Sequence, residues 1–476
     1  MKSTKIALIV LLFATLAFST KAQKEWSLEE CINYAIANNI QVKRQELSAN
    51  ASEKTYLQSK MEILPSLNAN GQHYLNSGKA IDYETYSYVN ESFQGGSISL
   101  SSEVNLFSGL QTFNTIRKNK LDLMVQLEGV EKVKNDITLN VATAYLQILL
   151  SKELYNNAKQ QLEITMVQVD KTKKLVEIGN AAKGSLLQIE AQAAGEKAAL
   201  IEVENNLKIA YLNLSQLLNL ETTEGFEIKT PESLELVLTN EFADINTIYT
   251  DALEVLPEIK SAEYGLQSSE RSLAIAYGNI SPSLSLGYQY STRYNELTKK
   301  AEGSSLPTLS SFPIGETAGG EEVYGYMSNT NYASSYPYMD QLADNASNVI
   351  YLALRVPLFN KWRTATTISQ SKIMLNDSKL TLDLQKQNLY KSIQQASTQA
   401  TGALERYKAN TQAVESMEEA FRYTEQKYQV GLVDILEYKT AKNSLIKAKS
   451  DALQAKYEFI FRSKILDFYR GEQIVL

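Results

Sequence analysis

Residues 109–178 read GLQTFNTIRKNKLDLMVQLEGVEKVKNDITLNVATAYLQILLSKELYNNAKQQLEITMVQVDKTKKLVEI, a run without a single proline. Continued as one helix, the run spans roughly 105 Å at about 1.5 Å per residue, deeper than any globular core. Inside it Val141, Ile148, Tyr155, Leu162, Val169 and Val176 recur every seven residues. The companion seam Ile137, Ala144, Ser151, Ala158, Thr165 and Thr172 is mostly small. A strict heptad marks helices packed along their whole length, and small companion positions let them approach closely. Beyond Gly179 the spacing resumes in Leu200, Leu207 and Leu214, so the long helix turns back as an antiparallel hairpin.

The same pattern returns 252 residues later. That offset carries Leu106-Phe107 onto Leu358-Phe359, Gly179 onto Gly431, and the first seam onto Ile393, Ala400, Tyr407, Val414, Phe421 and Tyr428. The second returning helix carries Leu445, Ala452, Phe459 and Leu466. Upstream, a different offset of 217 lays Ala35–Leu67 on Ala252–Leu284 and matches Ala35, Lys43, Glu46, Ser52, Glu53, Ile63, Pro65, Ser66 and Leu67 to identical residues. The chain is therefore two copies of one unit. The offsets differ by 35 residues, which places an insertion in the second copy, in the Ser/Gly/Tyr-rich stretch Thr292–Ser347. That stretch reads as a long exposed loop.

Each copy orders helix, strand, loop, strand, long helix, turn, helix. In the second, Leu284, Leu286, Tyr288 and Tyr290 alternate with Ser283, Ser285, Gly287 and Gln289. Its partner alternates Ile350, Leu352, Leu354, Val356 and Leu358 with Tyr351, Ala353, Arg355 and Pro357. The first copy sets Ile98, Leu100, Val104 and Leu106 against Ser97, Ser99, Ser101, Glu103 and Asn105. Period-two alternation marks half-buried strands. Apolar on one side and polar on the other over about ten residues fits an outer-membrane barrel strand, and a soluble sandwich gives the same alternation. Four such strands beside helices this long favour the barrel. A sheet of four strands in lipid leaves two edges unsatisfied, each backbone group costing several kcal/mol, so the chain must oligomerise to close it.

Composition narrows the chemistry. The 476-residue chain has one histidine, His73, and one cysteine, Cys31, too few for a His/Cys zinc site, a cysteine-protease pair, an internal disulfide or a soft-metal relay. No G-x-S-x-G elbow supports a Ser-His triad. Lys2 and Lys5 before the apolar run Ile6–Phe18, with Thr20-Lys21-Ala22 before Gln23, read as a cleaved export signal over 1–22. Cys31 then lies too far inside the mature chain for lipoprotein acylation. Loss of those three lysines takes the net charge from −7 to −10, a poor balance for binding nucleic acid. No other stretch is long and apolar enough for a spanning helix.

Trp26-Ser27-Leu28-Glu29-Glu30-Cys31-Ile32 with Ala35 and Asn38-Asn39, the strand openings Leu64-Pro65-Ser66-Leu67 and Ser281-Pro282-Ser283-Leu284, and the turn Val430-Gly431-Leu432 together resemble the TolC family of outer-membrane efflux proteins. The resemblance covers nearly all of Trp26–Tyr469 and rests on the order of these pieces within the duplicated plan. It implies a mainly α fold with a β-barrel part: a homotrimer whose 12-stranded barrel, four strands per chain, lies in the outer membrane of a Gram-negative bacterium and continues as a periplasmic α-helical barrel. It also implies a periplasmic adaptor and an inner-membrane pump as partners, with no cofactor and no enzymatic activity. On this reading the first repeat is 23–218, with strands at about 66–75 and 96–107. The linker 219–243 belongs to an equatorial region. The second repeat is 244–476, with strands at about 283–292 and 348–358 and an external loop at 293–347.

In the family, two helix-turn-helix tips with Val-Gly-Leu-like turns contact the adaptor, and here Ile178-Gly179-Asn180 and Val430-Gly431-Leu432 stand in those places. A plain C-cap glycine gives the same pattern. The family also places acidic residues just beyond the second tip, forming a ring at the closed end of the tube. Glu437 falls at such a position, with Asp434 nearby, and three converging carboxylates would favour cations. Val433 stands where some members carry a gate arginine and Thr440 where a second acid is found, so the closing contacts differ here. A solvated helix face is the other reading of Asp434 and Glu437.

The remaining signals point away from catalysis. His73 reads as a surface or lumen residue near the end of the first strand, and Trp26 and Trp362 as structural, the latter near a membrane boundary. Asn-x-Ser sequons, such as those at Asn90 and Asn345, are frequent by chance. Tyrosines such as Tyr74, Tyr83, Tyr86, Tyr88, Tyr288, Tyr290, Tyr324 and Tyr326 gather around strands and loops, as interface girdles do. A periplasmic adaptor or spacer shares the helical hairpins but lacks two full copies with paired long strands. An exported carboxylate hydrolase needs acids converging in a cleft, and these are spread along helix faces. The transported substrate is not written in the sequence.

Overall fold

The computed structural model describes residues 25–81, 87–231, 243–328 and 330–474. The expected signal segment, residues 232–242 of the linker, and Tyr83 and Tyr86 lie outside the described residues. In chain order the elements are β1 (Glu25–Trp26), α1 (Leu28–Asn38), α2 (Ile40–Met61), β2 (Ser66–Ile81), β3 (Tyr88–Ser108), α3 (Gln111–Glu177), α4 (Lys183–Leu217) and β4 (Glu227–Ile228). The second half follows with α5 (Ile245–Val255), α6 (Pro257–Gly278), β5 (Ser283–Asn295), short strands β6 to β11 between Ala301 and Tyr332, α7 (Tyr338–Asp344), β12 (Ser347–Arg355), α8 (Arg363–Gln429) and α9 (Ile435–Tyr469).

The two copies agree residue for residue in their helices. α1 and α5 are both 11 residues, α2 and α6 both 22, α3 and α8 both 67, α4 and α9 both 35. The left-handed backbone positions repeat too: Gly109-Leu110 match Lys361-Trp362, Gly179 matches Gly431, and Asn219 matches Gly471, all at the 252 offset. Lys361 and Trp362 hold φ of 58° and 66°, so the corner between strand and long helix is fixed by geometry rather than by a glycine in the second copy.

The chain divides into two units. The first contains the residues up to Lys54, Lys120–Ser269 and Leu375 onward. Its larger core gathers Leu28, Cys31 and Ala35 of α1 with Ile137, Val141, Tyr145 and Ile148 of α3, Leu214 of α4 and Ile228 of β4. α1 begins with a capping box: the Glu30 amide donates to Ser27 Oγ (3.2 Å), and the Ser27 amide to Glu30 Oε2 (3.0 Å). β1 pairs in parallel with β4, tying the start of the linker to the N-terminal segment, and the Tyr145 hydroxyl donates to the Lys229 carbonyl beside them. A second core repeats the theme with Ile248, Ala252 and Leu256 of α5 against Leu389, Ile393 and Ala400 of α8. The heptad residues at these levels, Val141, Ile148, Ile393 and Ala400, are fully buried.

The second unit, Thr55–Asn119 and Glu270–Met374, is built on one antiparallel sheet ordered β12-β5-β3-β2. Strict registers put Leu284, Leu286, Tyr288 and Tyr290 opposite Leu354, Leu352, Ile350 and Asn348 on one face, where Ile350, Leu352 and Leu354 are exposed at 76%, 63% and 67%. The other face carries Ser283, Ser285, Gln289, Ser291, Ser97, Ser99, Ser101, Glu103 and Asn105. Leu106 is the exception to the expected alternation. The β3 register shifts between Asn105 and Phe107, so Phe107, not Leu106, stands opposite Leu284; a bulge inserts one residue and re-aims those after it.

Strand lengths differ from the sequence reading for two reasons. β2 and β3 pair residue by residue as far as Ile81 and Tyr88, through Asn-, Ser- and Gly-rich segments whose polarity hides the alternation. His73 consequently sits mid-strand opposite Gly96, on the same side as Leu67 and Leu75. β12 stops at Arg355, two residues before Pro357, which has no amide hydrogen for a ladder. The stretch after β5 is a folded arm. β6 (Ala301–Ser304) pairs with β11 (Thr330–Tyr332), β7 (Thr308–Leu309) with β10 (Tyr326–Met327) and β8 (Gly315–Glu316) with β9 (Glu322–Val323), before α7 leads back to the sheet.

Candidate functional site

The two hairpin tips end their long helices in the same way. At the first, the Asn180 amide donates to the Leu175 carbonyl (2.8 Å) and the Gly179 amide to Val176 (3.0 Å); at the second, Leu432 donates to Lys427 (2.9 Å) and Gly431 to Tyr428 (3.1 Å). This paired pattern is a Schellman termination, which needs a left-handed residue, and Gly179 and Gly431 hold φ of 77° and 78°. The turn leaves Ile178, Val430 and Leu432 exposed at 68%, 71% and 75%. Apolar side chains this open at a turn are available to a partner.

The two acids behind the second tip play different parts. Asp434 is the N-cap of α9, its Oδ1 accepting from the Glu437 amide at 2.9 Å. That carboxylate is committed to a helix end, where capping is worth about 1 kcal/mol. Glu437 lies in the first turn of α9 and is exposed. Thr440 donates back to the Leu436 carbonyl within its own helix (2.8 Å).

One turn further in, the structure gathers residues that the sequence did not single out. Tyr438 is buried between Tyr428 and Phe421, with ring centroids 4.7 and 5.4 Å away. Burial, then Glu425, Tyr428 and Glu196, push its hydroxyl up to about 12. Beyond it Lys442, 3% exposed, reaches from α9 to the first hairpin. Its Nζ donates to Thr165 Oγ1 of α3 (2.6 Å) and pairs with Glu196 Oε1 of α4 (3.3 Å). Thr165 donates to Glu196 Oε2, and Gln192 Nε2 to Glu196 Oε1 (3.0 Å). Burial lowers the Lys442 pKa, opposed by Glu196 and then Glu425. This knot joins three helices from both hairpins. A cavity of about 480 Å³ beside it is lined in part by Ala158, Gln161, Gln192, Glu196, Lys439 and Ile446. Farther along, the Tyr457 hydroxyl donates to Glu153 (2.5 Å), a second polar link between α9 and α3.

Sequence spacing hides the knot. Lys442, Lys449 and Lys456 recur every seven residues and read as a solvated stripe, yet only the first is buried. The usable signal is the broken repeat: at the 252 offset, Thr165 faces Met417, Glu196 faces Ala448 and Lys442 faces Glu190.

Among the described residues no helix is long and apolar enough to cross a membrane, and no group of three or more His, Cys, Asp or Glu side chains is placed to hold a metal ion. Long paired hairpins together with an antiparallel sheet that is apolar on one exposed face define a channel class in which strands, rather than helices, meet lipid. A family model for the outer membrane efflux protein matches residues 31–220 and 248–466, and the chain belongs to that family. It is 22% identical over 461 residues to the outer membrane protein TolC of Vibrio cholerae, covering 94% of this chain and 92% of that one. Identity to the outer membrane efflux protein BepC of Brucella suis is 20% over 463 residues, covering 97% and 88%. Crystal structures of CusC match with a TM-score of 0.71 at 17% identity, covering 96% of both chains. That of VceC from Vibrio cholerae matches with a TM-score of 0.71 at 15% identity, covering 94% and 96%. Family membership places the chain in the Gram-negative outer membrane as an efflux channel, within a transport family rather than an enzyme family.

Proposed function

We propose that three copies of the chain close a single 12-stranded barrel and that their hairpins continue it as a helical tube across the periplasm. The duct receives its cargo from an inner-membrane pump through a periplasmic adaptor and conducts it passively. The observation that carries this reading is the sheet itself. Its apolar face is exposed, and its edge strands β2 and β12 end the hydrogen-bonded order without a further partner within the sheet. In lipid each unpaired backbone group costs several kcal/mol, and pairing β12 with the β2 of another copy removes both edges at once. The exposed Ile178, Val430 and Leu432 suit apolar docking of the adaptor at the tips. Glu437 and, beside it, Asp434 are the candidates for the carboxylate ring that admits cations; Asp434 also caps α9 through Oδ1 and keeps its charge and second oxygen exposed.

The native mass of the mature protein, extracted from outer membranes with mild detergent, tests the assembly. A particle of three chains is expected. A monomer washed free without detergent overturns the barrel and leaves the adaptor or spacer reading.

A further inference from the structure

Helix α7, at the end of the long inserted arm, does not hang free. Thr292 of β5, 5% exposed, donates to the Leu342 carbonyl (2.6 Å), the ring of Tyr294 lies 4.8 Å from that of Tyr338, and Gln341, 1% exposed, accepts from the Asn295 amide (3.1 Å). Asn345 closes the helix by donating to the Arg293 carbonyl (2.9 Å). Thr292 and Tyr294 share their side of β5 with Leu284, Leu286, Tyr288 and Tyr290, because β5 keeps an unbroken register against β12 from Ser283 to Ser291 and against β3 from Ser285 to Asn295, and side chains alternate strictly. α7 is therefore pinned to the apolar face of the sheet, not to its Ser/Asn/Gln face.

Its level on that face is set by the strand. From Leu284 to Tyr294 is about ten residues, which at roughly 3.3 Å per residue and a tilt of about 40° is a rise of about 25 Å, the height of the apolar band of an outer-membrane barrel. The opposite rim carries Phe359 and Trp362, exposed at 80% and 72%. Tyr294 and α7 thus stand where the outer aromatic girdle belongs. The helix is also two-sided. Met339 and Tyr338 are exposed at 72% and 42%, while Asp344 is held by Lys300 (3.0 Å) and the Tyr336 hydroxyl (3.0 Å).

We infer that α7 is an interfacial membrane anchor: it lies on the outer flank of the barrel and seats Met339 and Tyr338 at the boundary between headgroups and acyl chains of the outer leaflet. A second copy of the chain is the less suitable occupant. β5 is an inner strand, flanked by β12 and β3 of its own sheet, and the sites where another copy joins are the edges β2 and β12. Continuity with the lipid-facing side chains of the sheet favours lipid, and small amphipathic elements with aromatic residues partition to that boundary. The arm before α7 is then held beside the barrel rim by its base.

The inference rests on the barrel reading, so the test reports on both. Cys31 is fully buried and its thiol is pushed up to about 12 by burial and Glu30, so the unmodified chain takes little label. Met339→Cys and, separately, Ile350→Cys, which lies opposite Tyr288 near the middle of the band, are labelled with an environment-sensitive fluorophore and reconstituted as full-length protein in phosphatidylcholine vesicles carrying shallow or deep doxyl quenchers. The expected result is loss of most of the emission at 339 with the shallow quencher and at 350 with the deep one. Quenching at 350 without quenching at 339 overturns the anchor and leaves the barrel standing. No quenching at 350, whatever 339 does, overturns the barrel and the anchor with it.

Discussion

Removing the ammonium of Lys442 while keeping its stem isolates what the buried knot does. In Lys442→Met the aliphatic volume stays, but Glu196, 12% exposed at its side chain, is left with only Thr165 and Gln192 as donors. Breaking a buried pair from one side costs about 3–5 kcal/mol, because the surviving charge stays desolvated. The double variant Lys442→Met/Glu196→Gln carries no orphaned charge, and its amide can still accept from Thr165. Replacing both partners of such a pair is often neutral or stabilising, so the double variant should recover most of the loss. Hydrogen exchange along α9, from Tyr438 to Ala455, reads the outcome directly. A loss of about 3 kcal/mol speeds exchange by opening roughly a hundredfold. Exchange in Lys442→Met within about threefold of wild type would refute the argument. So would a double variant as loose as the single, since the penalty is assigned to the stranded carboxylate.

Other expectations follow from the same region. The knot has a signed pH dependence: the Lys442 pKa is lowered by burial, so the folded chain binds that proton less tightly than the unfolded chain, and the resulting penalty fades as pH rises towards the ordinary lysine value of 10.5. Tyr438 acts oppositely, its raised pKa withdrawing stability between 10 and about 12. The difference in Tm between wild type and Lys442→Met should therefore shift in favour of wild type up to about pH 10, and a flat difference would contradict it. Asp434→Ala should destabilise α9 by about 1 kcal/mol while Asp434→Ser does not; equal loss in both would show that charge rather than capping matters there. Glu437→Ala should raise the conductance of the isolated channel or weaken its block by multivalent cations, and an unchanged channel removes Glu437 from the gate.

How much of this was legible depended on which residues repeat. The heptads Val141–Val176 and Ile393–Tyr428, the turn glycines and the two offsets are local and periodic, and they led to helices of matching length with matching ends. The sheet was legible where apolar and polar residues alternate, as at Leu284–Tyr290. It was hidden where both faces are polar, as at Asn76–Ile81, and misread at Leu106, where a bulge that no local residue announces shifts the register. The knot was hidden for a different reason. Burial of Lys442 depends on which helix from the other copy lies against α9, a pairing between residues 277 positions apart that no single-helix pattern contains.

That broken repeat makes a prediction about how the duct opens. In the proposed ring of three chains, hairpins of the first and second copies would alternate, giving one contact within each chain and one between chains. The contact within the chain has the Thr165–Glu196–Lys442 knot. On that reading the contact between chains would present the equivalent positions Met417 and Ala448, and Glu190 in place of the lysine, so the same knot could not form there. Each chain's two hairpins are then tied to one another more firmly than to their neighbours, and the weaker seam is the one between chains. A reducible bis-thiol cross-link from Ala448→Cys to Glu190→Cys of the partner subunit should hold the channel shut, whereas one from Glu196→Cys to Lys442→Cys within a chain should leave it able to open. Conductance before and after reduction distinguishes them. Closure by the link within the chain, with free opening under the link between chains, would place the moving seam on the other side of the hairpin and refute the reasoning.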